Sequence, residues 1–264
     1  MTWKENLSKF ERNKQWDDAI AYMQNVIAEN PNDVDAAICM NYLLMYVIVY
    51  EGVDEASRGY HMFLTKKYFK ESYAKFSEDS EYLFFTGKTA VMGQWYFDLE
   101  DEDLDNMLEK ARQLDKNNLL YQWICRPDSH VSNLEWKYYS KALVADGSPA
   151  RKQLESKGAV GAYLLEMIIG WSATYKEKLC NDINEYLFSQ MSVESFCDSC
   201  RCYYLHGSKD GEFNQQEEQL FSELHMIASR YIESTKNPTR YTRIPFSESE
   251  LRQKALQVQQ VLKL

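Results

Sequence analysis

Between Trp16 and Ile27 the apolar residues fall at Trp16, Ala19, Ile20, Met23, Val26 and Ile27, the spacing of one face of a 3.6-residue helix. The pattern stops at Asn30-Pro31-Asn32-Asp33. Proline cannot continue a helix and disfavours helical geometry for Asn30, whereas the Asp33 side chain can cap a following helix. Helix, tight turn and second helix are therefore predicted. The second helix includes Ala36 to Tyr50, 15 residues without a charge. That run is short of the roughly 20 needed to cross a bilayer, so it reads as a buried helix. Leu104, Met107, Leu108, Ala111 and Leu114 form a second stripe, closed by Asp115-Lys116-Asn117-Asn118 before the apolar segment Leu119 to Cys125. A weaker junction at Ser77-Glu78-Asp79-Ser80 separates helical stretches from about Ala56 to Phe76 and from Glu81 to Phe97.

Further along, Leu134 to Ala145, Ala159 to Trp171, Tyr175 to Phe188 and Phe213 to Ile232 read as helices, with Ala145 to Gly158 and Ser234 to Pro245 irregular. Pro238 and Pro245 make the second of these the best linker in the chain. Ser247 and Glu250 then form a capping box, with Phe246 placed to staple onto Leu251. The stripe Leu251, Ala255, Val258 and Leu262 must dock, either back on its own fold or on a partner.

The run Gln15-Trp16-Asp17-Asp18-Ala19-Ile20, continued through Met23 and Val26 to Asn30-Pro31-Asn32, resembles the second helix and closing turn of a tetratricopeptide repeat. Trp3 and Phe10 stand where that family has large residues in the first helix. The likeness covers residues 2–35 and, more faintly, 81–125, where Leu104, Leu108, Ala111 and Lys116 lie 85 positions beyond Ala19, Met23, Val26 and Pro31. That offset is no multiple of a period of about 34. Leu104 also replaces the small Ala19, which implies wider helix spacing there. The resemblance implies an all-α fold. Residues 1–125 are expected as a solenoid of helical hairpins, 126–233 as an irregular helical region, 234–246 as a linker and 247–264 as a capping or docking helix. A concave face that binds protein is implied as well. The family's carboxylate-holding mode uses Lys and Asn, but Ser8 follows Lys4 here.

Composition narrows the function. The 264 residues include only 10 Gly and 5 Pro, too little turn punctuation for many short strands. Net charge is −10, and residues 1–120 alone hold 13 Lys and Arg against 22 Asp and Glu. Such a surface repels phosphate backbones and anionic lipid, so neither nucleic acid nor membrane is expected as a partner. Arg240-Tyr241-Thr242-Arg243 is too small a basic patch to change this. Residues 1–14 show no apolar leader, and six cysteines fit a reducing compartment, so a cytoplasmic location is expected.

Candidate chemistry is sparse. Cys197, Cys200, Cys202 and His206 could supply three thiolates and an imidazole to zinc, but in a helix Cys202 would point away from Cys197 and Cys200. Buried thiols are the better reading, and no cofactor is expected. Thr86-Gly87-Lys88-Thr89 lacks the upstream glycine of a phosphate loop, and Gly170-Trp171-Ser172 lacks the second glycine of a nucleophile elbow. The strongest surface feature is Asp98, Glu100, Asp101, Glu102, Asp103 and Asp105, six carboxylates in eight residues. One or two favour a helix N-terminus, and the rest suit a solvated loop or a basic partner. Trp123, Trp136, Tyr138 and Tyr139 flank the segment after residue 125 as a candidate hot spot. The expected function is a noncatalytic protein-interaction module, in its sharper form an acidic immunity or inhibitor protein that neutralises a basic toxin or nuclease. A peptide-binding adaptor or chaperone, and an enzyme with a site assembled from distant residues, are the alternatives.

Overall fold

The computed structural model describes residues 2–52, 54–124, 133–236 and 247–264. Among these every regular element is helical, so the fold is all-α, and its packed helices are compatible with a helical repeat. Two compact units are formed: Met1–Asp128 with Ser140–Gly170, and Ser129–Tyr139 with Trp171–Leu264.

In the first unit, α1 (Trp3–Arg12) starts at Thr2, whose side chain accepts from Glu5 N while Glu5 returns a bond to Thr2 N. Together they satisfy two of the free N–H groups at the helix start. The chain turns at Lys14 and Gln15 into α2 (Trp16–Glu29), which buries Ala19, Ile20, Met23 and Val26. After Asn30-Pro31 the Asp33 carboxylate accepts from Ala36 N and opens α3 (Val34–Tyr50). Eleven residues of α3 are buried, which explains why its sequence lacks a polar stripe. It packs against α2, α4 (Glu55–Phe76) and α5 (Ser80–Ala90). Inside this core Asn41 donates to Ser72, which shares a 2.7 Å hydrogen bond with the Tyr82 hydroxyl, while Asn41 Oδ1 and Thr86 Oγ1 are buried without a partner.

Two expectations are corrected here. The helix expected to run to Phe97 ends at Ala90, and a short 3-10 turn, Gln94–Tyr96, carries the chain to α6 (Asp101–Leu114). The wide spacing expected from Leu104 is also absent at one point, because α5 supplies the small residue: a Cβ on Gly87 would lie 2.7 Å from Leu108 Cδ2. The Thr86-Gly87-Lys88-Thr89 segment is thus helix interior in contact with α6, with backbone amides committed to the helix.

Helix α7 (Leu119–Ile124) precedes residues outside the description, and α8 (Asn133–Leu143) follows them. The segment Ala145 to Gly158, expected to be irregular, contains α9 (Pro149–Glu155), capped by Ser148 with proline in its first turn. Helix α10 (Gly158–Ser172) starts at Gly158, whose φ of +61° is readily taken only by a residue without Cβ.

The second unit contains α11 (Tyr175–Leu187), α12 (Val193–Asp210), α13 (Gln215–Lys236) and α14 (Glu248–Leu262). Its core joins Leu179, Ile183, Tyr186, Phe196, Phe221 and Leu224 to Leu251, Ala255 and Val258 of α14. The last helix therefore docks in cis, beside α11 and α13, with the Ser247 and Glu250 capping box formed. Of the expected linker, residues 234–236 belong to α13 and 237–246 lie outside the described residues. No helix of the described residues is long and apolar enough to cross a membrane.

Candidate binding groove

Three helix faces of the first unit meet around open space. Helix α1 contributes Trp3, Lys4, Leu7, Ser8 and Glu11, all at helical spacing on one face. Helix α3 contributes Cys39, Tyr42, Leu43 and Tyr46, and α10 contributes Ala159, Ala162, Tyr163 and Glu166. Two cavities of about 360 and 280 Å3 result, and Glu11, Tyr42, Ala159 and Ala162 line both. The room comes from α10, which presents alanines where larger side chains would fill the gap. With Trp16 at the start of α2, the larger cavity falls at the lower end of the roughly 300–1,000 Å3 typical of binding pockets.

Aromatic rings form a continuous wall. Trp16 lies 5.3 Å from Tyr46, Tyr46 lies 5.9 Å from Tyr42, and Tyr42 lies 5.9 Å from Tyr163, all between ring centroids. Tyr50 extends the wall, 5.3 Å from Tyr46 and 6.5 Å from Tyr163. Burial raises the Tyr42 hydroxyl and, with a hydrogen bond to Tyr50, pushes Tyr163 up to about 12, so both rings are neutral at any ordinary pH. The Trp16 indole N–H is buried without an acceptor, and ring contacts hold it instead.

Beside these rings stand two carboxylates. Glu11 is half-buried, and burial raises its carboxyl above the ordinary range with no cation to offset it. Glu166 is exposed on the facing helix. Of the basic residues in the lining, Lys4 and Lys157 are engaged elsewhere. Lys157, 5% exposed, reaches Asp35 at 2.5 Å and Glu81 at 2.6 Å, while Lys4 holds the other Asp35 oxygen at 2.5 Å. Burial alone would raise Asp35, but the hydrogen bonds and charges of the two lysines outweigh it and hold the carboxyl low. Lys4, Asp35, Lys157 and Glu81 thus form a neutral set that ties α1, α3, α5 and the start of α10 together. Arg12 is exposed and donates to Ser8 O.

The residues singled out from sequence are placed as follows. Asp98, Glu100, Asp101, Glu102, Asp103 and Asp105 are all exposed around the start of α6. Asp103 accepts from Glu100 N, Gln94 donates to Asp101, and Lys66 pairs with Asp98 at 2.7 Å. Glu102 and Asp105 have no cation beside them among the described residues. Trp123 is 2% exposed, and its indole donates to Ser140 Oγ at 2.8 Å. A ring so enclosed offers no surface to a partner, which corrects its place in the expected hot spot. Trp136, Tyr138 and Tyr139 lie on α8 in the other unit; Trp136 and Tyr139 are 5.7 Å apart and Tyr138 is 58% exposed.

Cys197 and Cys200 are buried in the second core, whereas Cys202 and His206 are exposed on another face of the continuous helix α12. His206 stacks 5.1 Å from Tyr175. The helical period therefore separates the four residues considered for zinc, and burial pushes the Cys197 thiol up to about 12, opposing the thiolate that zinc needs. No group of three metal-binding side chains occurs among the described residues. Among the described residues Ser229 Oγ lies 3.3 Å from His225 Nε2. Both lie within α13, one turn apart, where the backbone amides already serve the helix.

No protein-family model, curated protein or solved structure matches the chain. The groove itself escapes sequence reading because its walls come from helices more than a hundred residues apart. One local signal exists: Glu11 continues the Trp3 and Leu7 face of α1, a carboxylate in an otherwise apolar row.

Proposed function

We propose that the chain is a noncatalytic protein-interaction module with a basic partner, in its sharper form an inhibitor of the immunity type that occludes a basic toxin or nuclease. The observation that carries this reading is the groove of the first unit, where aromatic rings adjoin the carboxylates of Glu11 and Glu166 and the lining lysines are already neutralised. Tyr and Trp anchors are enriched in interface hot spots, and a carboxylate beside them suits a partner cation. The acidity of residues 1–120 and the exposed carboxylates at the start of α6 favour a partner of opposite sign. The tetratricopeptide-like pattern of residues 2–35 adds support, since the packing of α1 on α2 and α2 on α3 is compatible with a helical repeat.

The test is capture of the partner from the native source on the full chain, followed by association rates of the identified protein at several ionic strengths. Electrostatic steering predicts a fall of about tenfold or more between roughly 0.05 and 0.5 M salt. A rate insensitive to salt would favour an adaptor that grips an apolar peptide and would remove the basic partner.

A further inference from the structure

The groove has a more specific chemistry than negative potential. Trp16, Tyr42, Tyr46 and Tyr163 line one cavity of about 360 Å3, together with Glu11, Glu166 and the exposed Arg12. Among the described residues none of the chain's own cations lies over these four rings; Lys4 sits over Trp3 and Lys157 over Phe85. A ring face attracts a cation within about 6 Å of its centroid, and the attraction strengthens where water is excluded. Glu11 adds a desolvated carboxylate without a counter-charge, an arrangement that destabilises the empty site and is relieved when a cation arrives. Glu166 supplies a second carboxylate from the facing helix.

Resting on the reading of a basic protein partner, we infer that this cavity is the receptor for one arginine side chain of that partner, its guanidinium held against the tyrosine and tryptophan faces with Glu11 as counter-ion. Guanidinium fits better than ammonium for two reasons. Its plane stacks on aromatic rings, and its fork can engage carboxylates on two walls at once, whereas ammonium is a compact and strongly hydrated point charge. The adjoining cavity of about 280 Å3, which shares Glu11 and Tyr42, leaves room for the residues on either side of the arginine.

The experiment titrates the full chain with acetyl-Gly-Arg-Gly-amide, and with the lysine and citrulline counterparts, by calorimetry and by the indole N–H resonance of Trp16. Arginine is expected to bind saturably and to shift that resonance, with citrulline, the neutral isostere, about tenfold weaker or worse. Glu11→Gln should weaken the arginine peptide by a similar factor. Tyr163→Leu should weaken it and Tyr163→Phe should not, because the ring face, not the hydroxyl, makes the contact. Equal binding of citrulline would overturn the proposal. So would unchanged affinity in Glu11→Gln and Tyr163→Leu chains that keep the native circular dichroism, and equal binding of lysine would overturn the guanidinium assignment. A captured partner whose salt-dependent rate ignores Glu11→Gln removes the pocket but leaves the module. Arginine binding with a salt-insensitive partner does the reverse.

Discussion

Glu11 and Lys157 are opposite solutions to a charge held away from water. Glu11 has no partner, and burial raises its folded-state carboxyl above the ordinary 4.5. A raised carboxyl favours the protonated form in the folded state. Its contribution is thus most favourable below about pH 4.5 and becomes a penalty as pH rises through the folded value. Glu11→Gln should therefore stabilise the protein at pH 7 by up to about 1 kcal/mol, with the gain shrinking toward pH 4, as read from urea midpoints. A substitution that weakens ligand binding while strengthening the fold separates function from structure. Lys157 is buried but paired with both Asp35 and Glu81. Lys157→Met should cost about 2 kcal/mol, less than the 3–5 of a fully buried pair, because the two carboxylate side chains are 28% and 33% exposed. The depressed Asp35 carboxyl stabilises the fold above its unfolded value of 3.8, and this is lost as pH falls through the folded value. The Lys157→Met penalty should accordingly shrink in acid.

At the scale of elements, caps and turns decide where helices start, and small residues decide how closely they meet. Thr2, Asp33, Ser148 and Ser247 each open a helix by accepting a backbone N–H, so these starts follow from residue type. The α9 to α10 turn is more demanding. A Cβ on Gly161 would lie 1.8 Å from the Leu154 carbonyl oxygen, which accepts a hydrogen bond from Lys157 N. Gly161→Ala must displace backbone rather than a flexible side chain. It should destabilise by at least about 1–3 kcal/mol, measured as a lower urea midpoint. Since Ala159 and Ala162 flank this residue in the groove, the arginine peptide should bind more weakly as well.

For the whole molecule, the two cores also sort the thiols. Burial pushes Cys39 and Cys197 up to about 12 and Cys180 to about 11, and raises Cys200 further, whereas Cys202 is exposed on α12. In a Cys125→Ser background, an aromatic disulfide reagent should titrate close to one thiol rapidly in the native state, and Cys202→Ser should abolish that phase. Rapid reaction of several thiols would contradict the burial of α12 on its neighbours.

Hydrophobic periodicity was sufficient for the helices because each signal is local: Ala19, Ile20, Met23 and Val26 need only the 3.6-residue period to share a face, and Asp33 needs only the next three residues to cap. The same local patterns could not predict α9, too short to show a period, nor the cis docking of α14, since an apolar stripe does not name its partner. The sequence by itself determined an all-α protein with an acidic N-terminal half. The tertiary structure alone decided that Trp123 is core and that Glu11 meets Tyr42 and Tyr163. Contacts between residues far apart in the chain depend on which helices fill the remaining space, and no short window of sequence carries that information.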